Sequence, residues 1–368
     1  MTERLLNQYR PEVVSAPGET LAEVLADRGM SQAELAERMG RPKKTISEII
    51  GGKAELMPET ALQLERVLSV PASFWSNLER NFRDSLARAA EKQELLKHAD
   101  WPRRFPLAQM EEYDLIPRES DPVERIRSLL AYFAVSTVEQ WQSVYQGIAV
   151  AYRRPARFEP DLYALTAWLR AGEREAQSME CASFDLNAFR AALVEARALT
   201  TVIDPKLFVP QLQALMCRCG VAVAFVPELK GSRASGATRW LGAQRALIQL
   251  SLRYKSNDHL WFTFFHEAGH IALHGKREVF VEFHKGSTGT EAREAEADQF
   301  AAEILIPRRD LQLFLAEGRP SEARVRSFAS ECGIAPGIVV GRLQHEEVLP
   351  YSHLNAIKIW YDWKLSED

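Results

Sequence analysis

The chain has 368 residues, 46% of them hydrophobic, and this length predicts two or three domains because single hydrophobic cores rarely grow past about 250 to 300 residues. Its formal net charge of −4 excludes a generally basic protein, and no segment approaches the roughly 20 apolar residues that a membrane-spanning helix needs. Since the N-terminus also lacks a hydrophobic signal core and the four cysteines are scattered, we expect a cytoplasmic protein with reduced thiols and no membrane partner.

Three short helices are predicted between residues 20 and 50. The first is amphipathic and ends at Gly29, and Ser31 then caps the second, with Glu34 three residues later. The third, 43–50, runs to a pair of glycines that closes it. Two short helices joined through a tight glycine turn, the second of them polar and basic, are typical of a helix-turn-helix.

The third helix is predicted to turn its isoleucines inward and its basic N-terminus outward. A recognition helix enters the major groove of DNA by its N-terminal residues, which makes four side chains candidates for DNA contact: Lys43, Lys44, Thr45 and Ser47. From Arg41 to Lys53 four basic residues and one acid give a local net charge of +3. With so few phosphate contacts per protomer, affinity should be modest and salt dependent unless a dimer doubles them. A helical bundle used for protein contacts or dimerisation is the alternative.

The same region, about residues 15 to 90, resembles the XRE and HigA-like antitoxin repressors. The similarity rests on segments 31–38, 46–53 and 60–68 and on the Phe74-Trp75 pair that follows them. The resemblance implies that Gln32 contacts a phosphate and that the third helix reads the base edges of operator DNA, often as two copies on a palindromic site. Typical members have small polar residues at the start of that helix, where this chain has Arg41-Pro42-Lys43-Lys44. Arg41 therefore joins the candidate DNA contacts, and base preference is left open.

Residues 91 to 200 have mostly helical spacing and carry no chemistry that the sequence identifies. Helices are predicted over 123–133 and 186–196, and prolines between 102 and 122 indicate a linker that turns into a bundle. Three tryptophans are expected in a core or an interface rather than in a ligand cage: Trp101, Trp141 and Trp168.

Two strands are predicted next, 221–226 and 246–252, with turns from Gly231 to Gly236 between them. A small sheet formed by these strands would lie beside the helix that follows in the chain. Extended peptides often bind by adding a strand to the edge of such a sheet, so this edge is a candidate site for a flexible protein segment.

The segment His266-Glu267-Ala268-Gly269-His270 lies in an apolar run, 261–273, that predicts a buried helix. Positions i and i+4 project from one face of a helix, so both imidazoles can bind one metal ion. Zinc held by two histidines and one further protein ligand keeps a place for water and lowers the pKa of that water to about 7. Glu267 would then take the proton as general base. The alternative is a buried helix whose histidines only form hydrogen bonds.

A second helix is predicted to begin near Thr290 and to end at Pro307. Glu294 and Asp298 stand one turn apart on a shared face, which suits a zinc ligand, Glu294, followed by a carboxylate that orients a ligating imidazole. Glu296 is expected to point elsewhere on the helix. Solvated surface charges are the alternative interpretation of this acidic cluster.

These two motifs resemble those of the ImmA/IrrE metallopeptidases, zincins of thermolysin-like design, and the similarity covers about residues 200 to 362. The resemblance implies that His266, His270 and Glu294 bind zinc and that Glu267 is the general base. It also implies a substrate that is a transcription repressor or an antitoxin, whose cleavage releases stress or mobile-element genes. No residue matches an oxyanion-stabilising donor. The unranked candidates for that role are His274, His284, Tyr254 and Arg239.

The predicted architecture is α+β and mostly helical, with a helix-turn-helix bundle at 1–90, a helical linker or bundle at 91–200 and a zincin-like domain with a small sheet at 201–368. The predicted function is that of a transcriptional regulator fused to a Zn²⁺ endopeptidase. The regulator is expected to bind double-stranded operator DNA, with a homodimer as a possible state. Two alternatives stay open. One is a non-catalytic DNA-binding regulator whose peptidase-like domain senses a ligand or partner. The other is an antitoxin that neutralises a toxin by contact.

Overall fold

A computed structural model describes five stretches of the chain: 14–151, 161–251, 256–274, 280–283 and 291–361. The chain divides into two compact units, 1–99 and 100–368. Within the described stretches, no helix has both the length and the apolar character needed to cross a membrane. The predicted α+β and mostly helical fold is confirmed, whereas the predicted domain boundaries at residues 90 and 200 stay predictions.

The first unit is a bundle of short helices followed by a longer one. Its described helices are α1 (Pro17–Asp27), α2 (Gln32–Met39), α3 (Lys43–Ile50), α4 (Pro58–Leu68) and α5 (Ala72–Leu96). The predicted start of the second helix is confirmed, because the Ser31 hydroxyl accepts a hydrogen bond from the Glu34 amide at 3.1 Å. Ile46 and Ile49 of α3 are buried in the core together with Trp75. The inward face of α3 is therefore the one predicted.

The second unit begins with a series of helices. These are α6 (Leu107–Glu112), α7 (Pro122–Phe133), α8 (Val138–Ala151), α9 (Leu162–Ser178), α10 (Leu186–Leu199) and α11 (Pro205–Cys217), after a short 3₁₀ turn at Trp101–Arg104. Of these helices, α9 and α11 contact the sheet at its first strand. The three tryptophans of this region are buried as predicted, with 5, 2 and 0% exposure for Trp101, Trp141 and Trp168. The indole of Trp168 on α9 donates to the carbonyl of Val226, so α9 is joined to the sheet.

The sheet has four strands in the order β1-β3-β2-β4. They are β1 (Val221–Val226), β2 (Ala234–Gly242), β3 (Arg245–Ser251) and β4 (Phe280–Phe283), with β1 parallel to β3 and the other pairs antiparallel. The first predicted strand is confirmed, and the second is displaced by one residue. The turn predicted from Gly231 to Gly236 is partly wrong, because β2 already begins at Ala234. The small residues of this segment give no strand signal in the sequence. The segment forms a strand because it pairs with both β3 and β4.

The remaining helices of the second unit share one hydrophobic core. They are α12 (Asn257–Leu273), α13 (Glu291–Leu305), α14 (Arg308–Ala316), α15 (Glu322–Cys332) and α16 (Pro336–His345), followed by a 3₁₀ turn at Asn355–Ile357. Of these helices, α12 lies against the sheet. Helix α12 is the centre of the core, and Trp261, Phe264, Phe265 and Ala268 are fully buried in it. The apolar run 261–273 therefore forms a buried helix, as predicted.

The start of α12 is fastened by a segment that follows α16. Lys358 donates to the Asp258 carboxylate at 2.7 Å and to the side-chain oxygen of Gln344 at 2.8 Å, and the side chains of Lys358 and Asp258 are each only 8% exposed. Asn257 exchanges hydrogen bonds with the backbone of Ile359, donating from its amide and accepting at its side chain. The helix that carries the histidine motif is thus fixed at its first turn.

One expectation from composition is wrong. Cys181 and Cys217 form a disulfide, with their Cα atoms 4.3 Å apart, although 36 residues separate them in the chain. The segment after α9 returns to the end of α11, where the Ala182 amide donates to the Cys217 carbonyl, and this contact brings the two thiols together. Cys219 and Cys332 are free thiols, as expected.

Candidate metal centre and nucleic-acid interface

Helix α12 carries the histidine motif inside the protein and α13 packs directly across it. The residues His266, Glu267 and His270 are almost completely buried, with 2, 0 and 2% exposure. A Cβ at Gly269 would lie 3.1 Å from the Cα of Ala297, so the absence of a side chain there lets α13 approach. This close approach brings an acid of α13 to the two imidazoles.

That acid is Glu294, whose carboxylate converges with both rings. The Nε2 atoms of His266 and His270 are 3.1 Å apart, and Oε2 of Glu294 lies 3.2 Å from the first and 3.6 Å from the second. Zinc bonds of about 2.0 to 2.1 Å at tetrahedral angles place ligand atoms about 3.3 Å apart. The three separations therefore fit a tetrahedral zinc ion, and the donor set of two imidazoles and one carboxylate is one that zinc uses in hydrolases.

The charge state of this cluster favours a cation. Burial is the main reason that the pKa of His270 is lowered, which keeps its ring neutral near pH 7. Burial also raises the pKa of Glu294, but the contacts of its carboxylate with the His266 and His270 rings outweigh that effect and lower this pKa to about 2. An anionic carboxylate thus faces a neutral imidazole in a buried place, an arrangement that is costly without a positive charge between them.

The second predicted acid of α13 orients one of the rings. Oδ1 of Asp298 lies 2.8 Å from Nδ1 of His266. A carboxylate can only accept, so Nδ1 carries the proton and Nε2 turns its lone pair toward His270 and Glu294. Asp298 therefore lies where the predicted orienting carboxylate would be placed.

Glu267 is held from outside its own helix. The Thr238 hydroxyl of β2 lies 2.6 Å from Oε2 of Glu267 and 3.0 Å from its main-chain oxygen. A Cβ at Gly236, also on β2, would lie 2.6 Å from Oε1 of the same acid. Sequence reasoning missed Thr238 and Gly236, because both fall at or after the predicted turn and their position beside Glu267 depends on the sheet.

The candidates for oxyanion stabilisation have different positions. Arg239 follows Thr238 on β2, and successive side chains of a strand point to opposite faces. Its guanidinium donates to the Leu169 carbonyl and pairs with Glu173 on α9, so it lies on the face of the sheet away from Glu267. His274 lies beside His270, with the two Nδ1 atoms 3.0 Å apart. Tyr254 and His284 lie outside the described residues.

In the first unit, α3 presents its polar end to solvent. All six predicted DNA contacts are at least partly exposed: Gln32, Arg41, Lys43, Lys44, Thr45 and Ser47. The side chain of Lys44 is 83% exposed, and its ammonium pairs loosely with Glu48 at 3.7 Å. Arg41 is engaged within the bundle, because its Nε donates to the side chain of Gln63 on α4. The basic end of α3 is thus available to an anionic partner, whereas Arg41 just before it is hydrogen-bonded to α4.

These features define a helix-turn-helix regulator joined to a domain of the zincin type, and comparison with known proteins gives the families. Residues 21–75 match the helix-turn-helix family, and residues 228–344 match the IrrE N-terminal-like domain of the M78 peptidases. The chain therefore belongs to the XRE-type helix-turn-helix regulators by its N-terminal domain and carries an M78 peptidase domain in its C-terminal part. Both resemblances predicted from the sequence are confirmed at this level.

Individual relatives match a limited part of the chain. The HTH-type transcriptional regulator YddM of Escherichia coli (strain K12) is 36% identical over 73 residues, which are 20% of this chain and 76% of that protein. A solved addiction module antidote protein of the HigA family from Coxiella burnetii is 28% identical and covers 23% of this chain and 92% of its own, with a TM-score of 0.22. A Nostoc punctiforme structure, described as an antidote protein of a plasmid maintenance system, is 29% identical and covers 24% and 94%, with a TM-score of 0.23.

Proposed function

We propose that this regulator is also a zinc-dependent endopeptidase, with His266, His270 and Glu294 as the zinc ligands and Glu267 as the general base. The observation that carries the proposal is the convergence of three donor atoms at 3.1, 3.2 and 3.6 Å, the edges that a tetrahedral zinc site requires. The match to the M78 peptidases supports the same assignment.

The residues at this site would have different roles. A zinc ion bound here would supply a Lewis acid that makes water nucleophilic at neutral pH. Glu267 lies next to His266 in the chain, and Thr238 holds its carboxylate, so it can take a proton from that water and pass it to the leaving amine. Asp298 keeps the His266 ring in the tautomer that leaves Nε2 free for a metal.

We propose a flexible segment of another regulatory protein, a repressor or an antitoxin, as the substrate. In the described residues β4 is paired only with β2, which leaves an edge of the sheet beside α12 for an extended peptide. A substrate that controls genes is consistent with the helix-turn-helix domain on the same chain. Release of stress or mobile-element genes would follow from the loss of that substrate.

The test of the peptidase combines metal analysis with proteolysis. Full-length protein purified without chelators should contain about one zinc per chain. Incubation with candidate helix-turn-helix repressors should give defined fragments, and Glu267→Gln should keep the zinc and abolish the fragments. Absence of zinc from the wild-type protein would refute the metal centre. Operator release without any fragment would favour the non-catalytic sensor, and co-purification with a small basic toxin would favour the antitoxin.

We further propose that α3 reads operator DNA, with Lys43, Lys44, Thr45 and Ser47 at the groove, Gln32 at a phosphate and Arg41 behind them, in a protein that binds as a homodimer. The exposure of the basic end of α3 supports this arrangement. Lys44→Ala should lower the slope of log affinity against log salt by about one for each phosphate that the lysine neutralises. Glu59→Ala, which changes an exposed acid on α4, is the control. An unchanged slope in Lys44→Ala would remove Lys44 from the interface.

A further inference from the structure

The two histidines of the metal centre are supported in different ways. Nδ1 of His266, the ring nitrogen that is not at the metal centre, contacts the Asp298 carboxylate directly. The same nitrogen of the His270 ring contacts a third histidine instead, with Nδ1 of His270 3.0 Å from Nδ1 of His274. Nε2 of His274 in turn lies 3.1 Å from Oε2 of Glu296 on α13. The acid that was expected to point elsewhere on its helix therefore reaches the metal centre through His274.

The hydrogen-bonding capacity of these groups determines which nitrogen of each ring carries the proton. The Glu296 carboxylate can only accept, so Nε2 of His274 carries the proton and Nδ1 of the same ring has a lone pair. That lone pair accepts from Nδ1 of His270, which leaves Nε2 of His270 without a proton. This nitrogen is the one that lies 3.1 Å from Nε2 of His266 and 3.6 Å from Glu294. This series of two hydrogen bonds thus selects the tautomer of His270 that can bind a metal.

The exposure of the side chains increases along this series of hydrogen bonds, from His270 to Glu296. The side chain of His270 is 1% exposed and that of His274 is 4% exposed, whereas that of Glu296 is 60% exposed. His274 is the C-cap residue directly after α12, and its amide donates to the His270 carbonyl. Its ring therefore lies between a buried ligand and a solvated carboxylate. An outer partner that accepts from a ligating imidazole fixes the ring and makes its other nitrogen a stronger electron donor.

We propose that His274 and Glu296 are positioning residues for His270, forming a two-step relay that does for this ligand what Asp298 does for His266. The inference rests on the proposed zinc centre. It adds a role for two residues that lie outside the set of metal ligands. Helix α13 then supplies one ligand, Glu294, and a support for each of the two imidazoles.

The test measures zinc affinity of the full-length protein by competition with a chelator. His274→Leu should weaken zinc binding by about 10 to 100-fold, the usual effect of removing an outer partner of a ligand. Glu296→Gln should weaken it by a smaller factor, because the amide oxygen accepts a weaker hydrogen bond than a carboxylate. His274→Asn should restore part of the affinity, since its amide oxygen can replace Nδ1 as the acceptor. Glu322→Gln, which alters an exposed acid of α15 paired with Arg326, is the matched control.

A double variant separates the relay from a general effect of charge. Because Glu296 acts through His274, adding Glu296→Gln to His274→Leu should cause no further loss of zinc affinity. The visible spectrum of the cobalt-substituted protein should change in His274→Leu and Glu296→Gln but not in the control. Glu296 is largely solvent exposed, so its variant tests the relay even where His274→Leu lowers the stability of the zinc-free fold.

The outcomes distinguish this inference from the function on which it rests. A wild-type protein that binds no zinc overturns the metal centre and the relay with it. A wild-type protein that binds zinc tightly, with unchanged affinity in both single variants, overturns the relay alone. An equal loss from Glu296→Gln with and without His274 also overturns it, because the carboxylate would then act through space rather than through the ring.

Discussion

The hydroxyl of Thr238 lies 2.6 Å from the carboxylate of Glu267, and both side chains are buried. The acid of the histidine motif is therefore fixed by a strand of the sheet as well as by its own helix. Because a buried carboxylate has few compensating contacts, the loss of one good donor changes both its position and its energy.

Replacing Thr238 with valine removes this donor while keeping the shape of the side chain. A hydrogen bond to a charged group contributes about 1.5 to 3 kcal/mol, so Thr238→Val should slow cleavage of the protein substrate by about 10 to 100-fold. Zinc content should stay at the wild-type level. Thr238→Ser keeps the hydroxyl and should retain most of the activity. A fast Thr238→Val enzyme would show that Glu267 needs no support from β2.

Gly236 leaves the space that Glu267 occupies. A Cβ there would lie 2.6 Å from Oε1 of Glu267 and 2.6 Å from a methyl carbon of Thr263, closer than real contacts allow. Gly236→Ala should displace the carboxylate and lower kcat while zinc binding persists. Gly242→Ala is the matched control on the same strand, because a Cβ at that position meets nothing within 4 Å. Equal kinetics in the two variants would contradict the close packing of β2 on the acid.

The buried pair of Lys358 and Asp258 should control the stability of the second unit. Lys358→Met leaves the carboxylate of Asp258, whose side chain is 8% exposed, without its cation. Breaking one side of a buried ion pair costs about 3 to 5 kcal/mol, and urea denaturation followed by circular dichroism should show a loss of this size. Adding Asp258→Asn should recover much of it, since no unpaired charge then remains. A single variant as stable as the wild type would mean that the pair contributes nothing.

Glu175 on α9 makes stability depend on pH. Burial raises its pKa to about 7, against hydrogen bonds from the Phe225 amide and the Gln213 side chain that lower it. Between pH 4.5 and about 7 the folded protein keeps this proton and the unfolded chain releases it, so stability falls as pH rises.

Glu175→Gln should remove that pH dependence. At pH 8 the variant should be more stable than the wild type by up to about 3 kcal/mol, and near pH 5 the difference should be small. Urea denaturation at both values measures it. Glu180→Gln, an exposed acid in the segment after α9, should change stability little at either pH. A difference between wild type and Glu175→Gln that is the same at pH 5 and pH 8 would rule out this carboxyl as the source.

Those parts of the fold that depend on local signals could be predicted from the sequence. The cap at Ser31, the span of α3 and the metal-binding spacing of His266 and His270 all depend on contacts within a few residues. Strand β2 could not be predicted, because its small residues form a strand only between β3 and β4. The contact of Glu296 with His274 was missed for a related reason, since it depends on how α13 crosses the end of α12.

The disulfide and the contact that holds Glu267 also depend on parts of the chain that are distant in sequence. Cys181 and Cys217 approach only after the segment behind α9 has returned to α11, and Thr238 reaches Glu267 only once the sheet is formed. The histidine motif indicated the candidate residues of the proposed metal centre. The neighbours that hold those residues come from distant parts of the chain, and spacing alone does not identify them.

The anchoring of Asn257 and Asp258 by Lys358 and Ile359 has a consequence for biosynthesis. Ribosomes make the N-terminal part of a chain first, and compact units fold as they emerge. The helix-turn-helix bundle can therefore be complete while the partners of the first turn of α12 are still untranslated. Since those partners lie about 100 residues further along, the nascent polypeptide gains its regulatory domain well before its M78 peptidase domain.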